Sequence, residues 1–530
     1  MTLPEQPSPR PEESPLPPWQ AYILAFAASA CTLIIELVAG RIMAPIIGVS
    51  LYTWTSIIGV VLAGISLGNF LGGKLADRFG SRRTLFVLFV LSGLAALSVL
   101  YTASAFSGMQ TPQSLPLLVR IVAVTAAIFF LPSLVLGTIS PLLVKLTLRD
   151  LSRSGDVVGK IYAVSTAGSI LGTFATGFYL ISLFGTRPIM LGVGIICFVL
   201  ALVFGDWTWI FRRKSVKSTA IMAIFLMAVA GGAYWLLDKG SLQSDCLEET
   251  NYYCIKVNSE VKNNEHLKLL VLDHLVHSFN SIEDPQLLTY GYEFIYAGYA
   301  EYMARLRSDG AFRVLFIGGG GYTFPRYLQS RYPNSISDVI EIDPEVTQVA
   351  IQHLGLDPRD NIRSIHLDAR LAVAQMPAGQ VYDLIIGDAF HGLSVPYHLT
   401  TLEFSEQLKT HLAPDGFYLV NLIDGRKAEF VRSEAVTLSR SFPYVAAMPI
   451  IEEYSGISSN LWVVAASPND LQSQVYFDAI EASPRPDIAK HLWDGARLAD
   501  FFASGRAVVL TDEYAPVDNL LAPVLEERGY

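Results

Sequence analysis

Seven apolar stretches, near residues 19–39, 51–72, 84–106, 117–140, 158–184, 187–205 and 219–238, constrain this chain more than any other feature. Each is long enough to cross a bilayer as a helix, which takes about 20 residues. No charged residue occurs from Thr84 to Val119. Inside hydrocarbon a backbone must satisfy its own polar groups, so these stretches are predicted to be helical. With 52% hydrophobic and 16% charged residues, the 530-residue chain is too apolar for an ordinary soluble protein. Its charge is divided as well. Residues 19–238 hold 15 Lys/Arg against 6 Asp/Glu, and residues 239–530 hold 22 against 39. A basic apolar half and an acidic half argue for a lipid-embedded domain joined to a soluble one. The expected organisation is a disordered tail at 1–18, a transmembrane helical domain at 19–238, a linker with a first strand at 239–265, and an α/β domain at 266–530. The tail is Pro-, Glu- and Ser-rich, and its apolar run starts too late and is too long for a signal peptide. The acidic half lacks the clustered Lys/Arg that phosphate contacts need, so nucleic acid is excluded as a partner, whereas cations such as polyamines would be attracted.

Basic residues mark alternate loops: Lys74, Arg78, Arg82 and Arg83; then Lys145, Arg149, Arg153 and Lys160; then Arg212, Arg213, Lys214 and Lys217. The positive-inside bias puts these loops and the N-terminus in the cytoplasm. Within the stretches, Gly64, Gly68 and Gly72 recur every four residues, as do Gly168 and Gly172, which suits close helix packing. Glu36 is an acid in an apolar span and needs a partner or a task; Arg41 is the nearest candidate partner. The segment GGKLADRFGSRR at 72–83 resembles the loop between the second and third helices of major-facilitator transporters.

Cys246 and Cys254 lie in the linker with seven residues between them, while Cys31 and Cys197 lie in predicted spans. The spacing fits neither a CxxC redox pair nor a four-ligand zinc site, and leaves a disulfide or two free thiols open. No pattern for zinc, haem or nicotinamide is present, so no metal and no tightly bound cofactor is expected. Tyr252–Val257 and Leu267–Leu272 read as strands of a hairpin, and Tyr290, Tyr292, Tyr296, Tyr299 and Tyr302 lie on a following helix.

The soluble half centres on Arg313–Ile317, a short buried strand followed by Gly318, Gly319, Gly320 and Gly321. A helix follows, and then a second apolar run, Val339–Ile342, with Glu341 and Asp343 at its end. Strand, glycine turn, helix, and strand with a terminal acid make the first unit of a nucleotide-binding sheet. Glu341, 23 positions after Gly318, is in reach of both ribose hydroxyls. Ile362–Leu367 ends in Asp368, which could meet an adenine amino group, and Tyr382–Gly387 leads to Asp388. A helix at Leu399–Leu412 and strands at Phe417–Leu422, Asn460–Ala465 and Ala507–Leu510 complete the reading. Three acids at successive strand ends (Glu341, Asp368, Asp388) mark the edge where ligands bind in such sheets.

Residues 252 to about 430 resemble the spermidine synthase (polyamine aminopropyltransferase) family. Its I-G-G-G turn is matched by Ile317–Gly320 and its E-[IVL]-D by Glu341–Asp343. Its Y-D-x-I-x-x-D strand is matched by Tyr382 to Asp388, and its L-D-G-x-x-Q segment, loosely, by Leu272 and Asp273 with His277 at the Gln position. Helices first and this domain second, with LTDEYAPVDN at Leu510–Asn519, is similar to the fused membrane proteins of spermidine synthase-like type. The resemblance implies an N-terminal α-helical transmembrane bundle of about seven spans plus a C-terminal α/β methyltransferase-like domain with an N-terminal β-hairpin region. It implies decarboxylated S-adenosylmethionine, or a related sulfonium nucleoside, as cosubstrate and an amine as acceptor. Gly318, Gly319, Gly320, Glu341, Asp343 and Asp368 would hold the nucleoside, and Asp388 would be the base. His277, Tyr290, Tyr292 and His391 would face the substrate, and a homodimer is compatible with the family. Two acids of the family pattern are missing, being Gly321 and His391 here, and these are the ones expected to hold ammonium groups.

Two functions follow as expectations. The first is a membrane-anchored aminopropyl (alkyl) transferase; the second is a transporter or sensor whose soluble domain binds a nucleoside or polyamine without turnover. An N-terminus inside followed by seven spans puts the soluble domain outside the cytoplasm, where Cys246 and Cys254 could pair.

Overall fold

A computed structural model of the chain describes residues 16–107, 116–148, 150–208, 245–262, 265–307, 310–390, 392, 395–450, 461–489 and 491–527. Residues 1–15 of the tail expected at 1–18, the stretch at 219–238, the third basic loop and His391 lie outside the described residues, whereas Leu16 is buried and the first helix already starts at Pro18. Two compact units make up the chain, Met1–Asp245 and Cys246–Tyr530.

In the first unit, six helices among the described residues are long and apolar enough to cross a membrane. Helices α1 (Pro18–Ile47), α2 (Leu51–Phe79) and α3 (Arg82–Ser107) are continuous. The fourth of these six is α4 (Leu117–Gly137) followed by α5 (Ile139–Thr147). The fifth contains α6 (Ser154–Ala175) and α7 (Ile181–Phe184), and the sixth is α8 (Thr186–Phe204). These match the first six predicted stretches. They pack mainly in pairs, α1 with α6, α2 with α4 and α3 with α8. The glycines explain two of the pairs. A methyl group at Gly168 would overlap the carbonyl oxygen of Phe26, and one at Gly172 would lie 2.7 Å from that of Ala30. One at Gly68 would overlap the carbonyl oxygen of Leu134, and one at Gly72 would lie 2.6 Å from that of Thr138. Large apolar side chains such as Leu62, Phe70, Phe174 and Phe178 point outward, as a lipid-facing surface requires. Glu36 sits half-buried within α1.

The second unit begins with a four-stranded antiparallel sheet: β1 (Glu248–Glu249), β2 (Cys254–Lys262), β3 (Glu265–Leu272) and β4 (Leu275–Ser281). The expected hairpin is β2–β3, with Ile255 opposite Leu272. Cys246 and Cys254 are joined by a disulfide. Helix α9 (Gly291–Leu306) carries the tyrosines and leads into the main sheet. That sheet has seven strands: β5 (Arg313–Ile317), β6 (Ile336–Ile340), β7 (Ile362–Ile365), β8 (Tyr382–Gly387), β9 (Leu412–Ile423), β10 (Tyr444–Pro449) and β11 (Leu461–Ser467). Their order is β10-β11-β9-β8-β5-β6-β7. Strands β5 to β9 are parallel; β11 runs antiparallel beside β9, and β10, antiparallel to β11, returns to the direction of the others. This is the methyltransferase-like architecture implied by the resemblance. Alternation divides the core in two. Val314, Phe316, Leu384, Ile386 and Leu419 face one layer, whereas Leu315, Ile317, Ile385 and Val420 face the other. Both faces are covered, which accounts for strands that are apolar throughout.

Four sequence expectations differ from the structure. The strand carrying Glu341 ends at Ile340, so the acid stands just beyond it. The helix expected at Leu399–Leu412 is shorter, Leu402–Lys409, because Thr401 caps it by accepting from the Phe404 amide at 3.3 Å. The Ala413–Gly416 segment does not break the chain into helix and strand; it lies inside β9, where a register shift takes up the extra residues. Arg307 secures that irregularity by donating to both Asp383 and Asp415. Ala507–Leu510 is not a strand. Its Val508 and Leu510 amides donate to Ser433 and Thr437 of α14 (Glu429–Ser441) instead of to a sheet.

Candidate functional site

Strand β5 lies inside the sheet, with β6 on one side and β8 on the other. Its C-terminal end is therefore the point where the strand order reverses, and a crevice opens there. Gly318 makes this possible. Its φ is +101°, and a methyl group there would overlap the carbonyl oxygen of Asp388, so only glycine lets β5 and β8 close together. The Asp388 amide donates to Ile317 at 2.8 Å, and the Gly318 amide to Ile340 at 2.9 Å.

Glu341 organises the turn from below. Its Oε2 accepts from the amides of Gly319 (2.9 Å) and Gly320 (3.3 Å), and its Oε1 from Asp343 (3.0 Å). Burial raises its pKa, and these backbone donors pull it back down. Tyr322 lies beneath the glycines in a left-handed conformation, and its hydroxyl bonds Thr347 (2.8 Å) and Ser364 (2.9 Å). Asp343 caps α11 (Pro344–His353) through the Glu345 amide and accepts from the Thr250 hydroxyl at 2.5 Å. Asp368 caps α12 (Ala369–Ala374) and meets His398 Nε2 at 3.0 Å. The next residue but one, Arg370, is held by Asp512 of the LTDEYAPVDN run.

A cavity of about 430 Å³ lies against the glycine turn. Of the sequence-predicted residues it brings together Gly318, Gly319, Gly320, His277, Tyr290, Tyr292 and Asp388. Glu341, Asp343 and Asp368 do not line it; the first is under the turn and the other two are helix caps. Tyr290 stacks on Tyr292 with ring centroids 5.3 Å apart, and Tyr296 meets Tyr292 and Phe324 edge to face. Burial and then the charge of Asp388 hold the Tyr292 and Tyr296 hydroxyls well above their ordinary range, so both stay neutral. Deeper in the chain's core, Tyr299 and Tyr302 pack on Phe417 and Tyr476. The tyrosine helix thus serves both packing and cavity.

Asp388 is pushed up to about 7 by burial, against the lowering effect of Asn421, whose Nδ2 donates to its Oδ1 at 2.9 Å. A carboxylate poised near neutrality at a cavity wall is suited to taking a proton. Asn421 escapes sequence reading, although a polar residue in the apolar run FYLVNLI was its visible sign. Also unforeseen is the network behind Gly321. Ser278 donates to Asn280 Oδ1 (2.7 Å), Thr323 does the same (3.2 Å), and Asn280 Nδ2 donates to the Gly321 carbonyl (2.7 Å). These side chains fill the space a larger residue at 321 would need: its Cβ would lie 2.6 Å from Asn280 Oδ1.

No family model matches the chain. The polyamine aminopropyltransferase of Vibrio vulnificus is 32% identical over 213 residues, which is 39% of this chain and 69% of that protein. The chain belongs to the polyamine aminopropyltransferase family. It is accordingly a transferase with a spermidine synthase-like domain. The polyamine aminopropyltransferase of Chromobacterium violaceum is 28% identical over 152 residues, 29% of this chain and 56% of that protein. The crystal structure of a probable spermidine synthase from Corynebacterium glutamicum aligns with 50% of this chain and 95% of its own, at 21% identity and a TM-score of 0.43. In this family member the first unit, Met1–Asp245, adds the apolar helices.

Proposed function

We propose that the C-terminal domain transfers an aminopropyl or other alkyl group from a sulfonium nucleoside to an amine, as part of a membrane-anchored protein. The observation that carries this reading is Asp388: a carboxylate with a pKa near 7, lining the cavity beside the glycine turn, oriented by Asn421. A neutral amine attacks the carbon bonded to the sulfonium sulfur. The C–N bond forms as the C–S bond breaks, and the electron pair leaves on sulfur as a neutral thioether nucleoside. The new ammonium passes a proton to Asp388. Positioning both reactants in one cavity supplies much of the acceleration, and the base adds its share. Glu341 is read as the residue that shapes the nucleoside site, and Asp368 as its far boundary.

The purified full chain in detergent should form a thioadenosine product from decarboxylated S-adenosylmethionine, or S-adenosylhomocysteine from S-adenosylmethionine, when given an amine. Mass spectrometry detects both, and the absence of both with every donor and amine pair would overturn transfer. The six membrane-length helices favour a second reading, in which the domain senses or helps transport what it binds. Binding without either product would support it. The domain is proposed to face away from the cytoplasm, a reading supported by the basic loops and by the Cys246–Cys254 disulfide.

A further inference from the structure

The chain passes one end of α8 at Asp206 and is back at the other end at Asp245. Just past the C-terminal end of the helix, the Asp206 amide donates to the Arg82 carbonyl at 3.1 Å, and Asp206 Oδ2 accepts from Arg83 Nε at 3.1 Å. At the N-terminal end, Arg187 Nη2 donates to Asp245 Oδ2 at 3.3 Å. The 19 residues of α8 separate these ends by about 28 Å. Residues 209–244 have to cover that distance, and the apolar stretch within them, 219–238, would be about 30 Å long as a helix. One face of α8 is unpartnered among the described residues. Gly192, Ile195, Val199 and Leu202 recur at intervals of three, four and three, the spacing of a seam along which a second helix packs. Ile195, Val199 and Leu202 are half exposed or more, and among the described residues nothing lies within 4 Å of a methyl group built on Gly192. The stretch at 219–238 carries a matching seam, Ile221, Phe225, Ala228 and Gly232, at intervals of four, three and four. Antiparallel and with midpoints level, the two sequences set Gly232 beside Gly192, Ala228 beside Ile195, Phe225 beside Val199 and Ile221 beside Leu202. Glycine then meets glycine, where backbones can close, and alanine makes room for isoleucine.

We propose that residues 219–238 cross the apolar unit as a helix antiparallel to α8 and cover this face from Gly192 to Leu202. Consecutive elements usually pack side by side, and both ends of this segment are already held at α8. A second copy docked on the same face would leave 219–238 to cross elsewhere while its ends stay at α8. A full crossing at 219–238 leaves Asp245 on the opposite side of the membrane from Asp206, whether or not the soluble domain turns over a ligand.

The test is oxidative cross-linking of the full chain in isolated membranes, with Ile195→Cys and Ala228→Cys introduced together. Copper phenanthroline should join the two within one chain in most molecules, read as a linked pair of tryptic peptides from the monomer band of a non-reducing gel. Leu62→Cys, at an outward-facing position of α2, should not link to Ala228→Cys. Linkage only in a dimer band would give the face to a second copy, and no linkage, or equal linkage in both pairs, would leave it to lipid. Each of these results overturns the proposal. Gly192→Leu probes the same contact without cysteines. Filling a close helix contact should lower the melting temperature by about 4 °C or more. On a face that meets only lipid, leucine is the better helix former, so an unchanged or raised melting temperature would also overturn the proposal.

Discussion

Asp388 and Glu341 are both acids at strand ends, yet their surroundings give them different work. Asp388 has one donor, Asn421, and a pKa of about 7, so it is half-ionised near neutrality. A base acts when deprotonated; kcat/KM should therefore fall about tenfold per pH unit below 7. A rate that stays flat from pH 5 to 9 would remove Asp388 as the titrating base. Asp388→Asn should lower turnover about 10²–10⁴-fold. It has a second signature that needs no activity. An acid whose folded pKa is raised contributes most to stability below its unfolded pKa, and that contribution is lost as pH rises towards the folded value. Asp388→Asn should accordingly raise the melting temperature at pH 8 but not at pH 4. Glu341 instead accepts three backbone N–H groups. In Glu341→Gln an NH2 group must face one of those donors, which costs about 1–3 kcal/mol. We expect a lower melting temperature together with weaker binding of methylthioadenosine; a change in affinity with unchanged melting would mean that Glu341 touches ligand without holding the turn. From the sequence its position was legible but its load was not, because spacing says where an acid sits and not which amides fold back onto it. Asn421 was hidden for the opposite reason: one polar residue in a strand is usually a surface or edge position, and only the sheet order puts it beside Asp388.

Elements were read best where one interaction decides them. Strand β5 begins and ends where its β-branched and aromatic run does, since burial on both faces rewards the whole run. Strand β9 was misjudged because Pro414 and Gly416 signal a break, whereas Arg307 and the register shift let the strand continue through them. Strand β10 carries two alanines and little periodicity, and it exists because β11 pairs with it. In the apolar unit the four-residue glycine spacing was legible, but not which helices it joins: α2 meets α4, and α6 meets α1. Each contact is backbone against backbone, so neither helix can move aside without losing its neighbour. Gly168→Leu should therefore separate α6 from α1 and cost about 2–4 kcal/mol, the range of overpacked and lost core contacts. Gly159→Leu, with nothing within 4 Å of the added atom, is the control and should be nearly neutral. Thermal unfolding in detergent compares them, and equal melting temperatures would show that the close approach does not hold the pair together.

At the scale of the molecule, charge and family membership pull in different directions. The basic loops around Arg82 and Lys145 predict their side of the membrane as cytoplasmic, and the seven spans expected from the sequence would put residues 246–530 on the other side. A sulfonium nucleoside is expected as donor, and such compounds belong to cytosolic chemistry, so an outward domain would need a supply across the membrane or a different donor. The disulfide weighs on the side of charge, because such bonds persist in oxidising compartments and are rare in the cytosol. The outward placement is decided by labelling. With Cys31 and Cys197 buried, single cysteines introduced at exposed positions of the soluble domain, such as Glu283 and Asp284, should react in intact cells with a thiol reagent that cannot cross membranes. Reaction only after the cells are broken would put the domain inside. In that case one of the seven apolar stretches, 219–238 or the short 187–205, could not be a full crossing, and the Cys246–Cys254 pair should be found reduced in cells. Alkylation before and after reduction reads this second outcome independently, so the two measurements must agree.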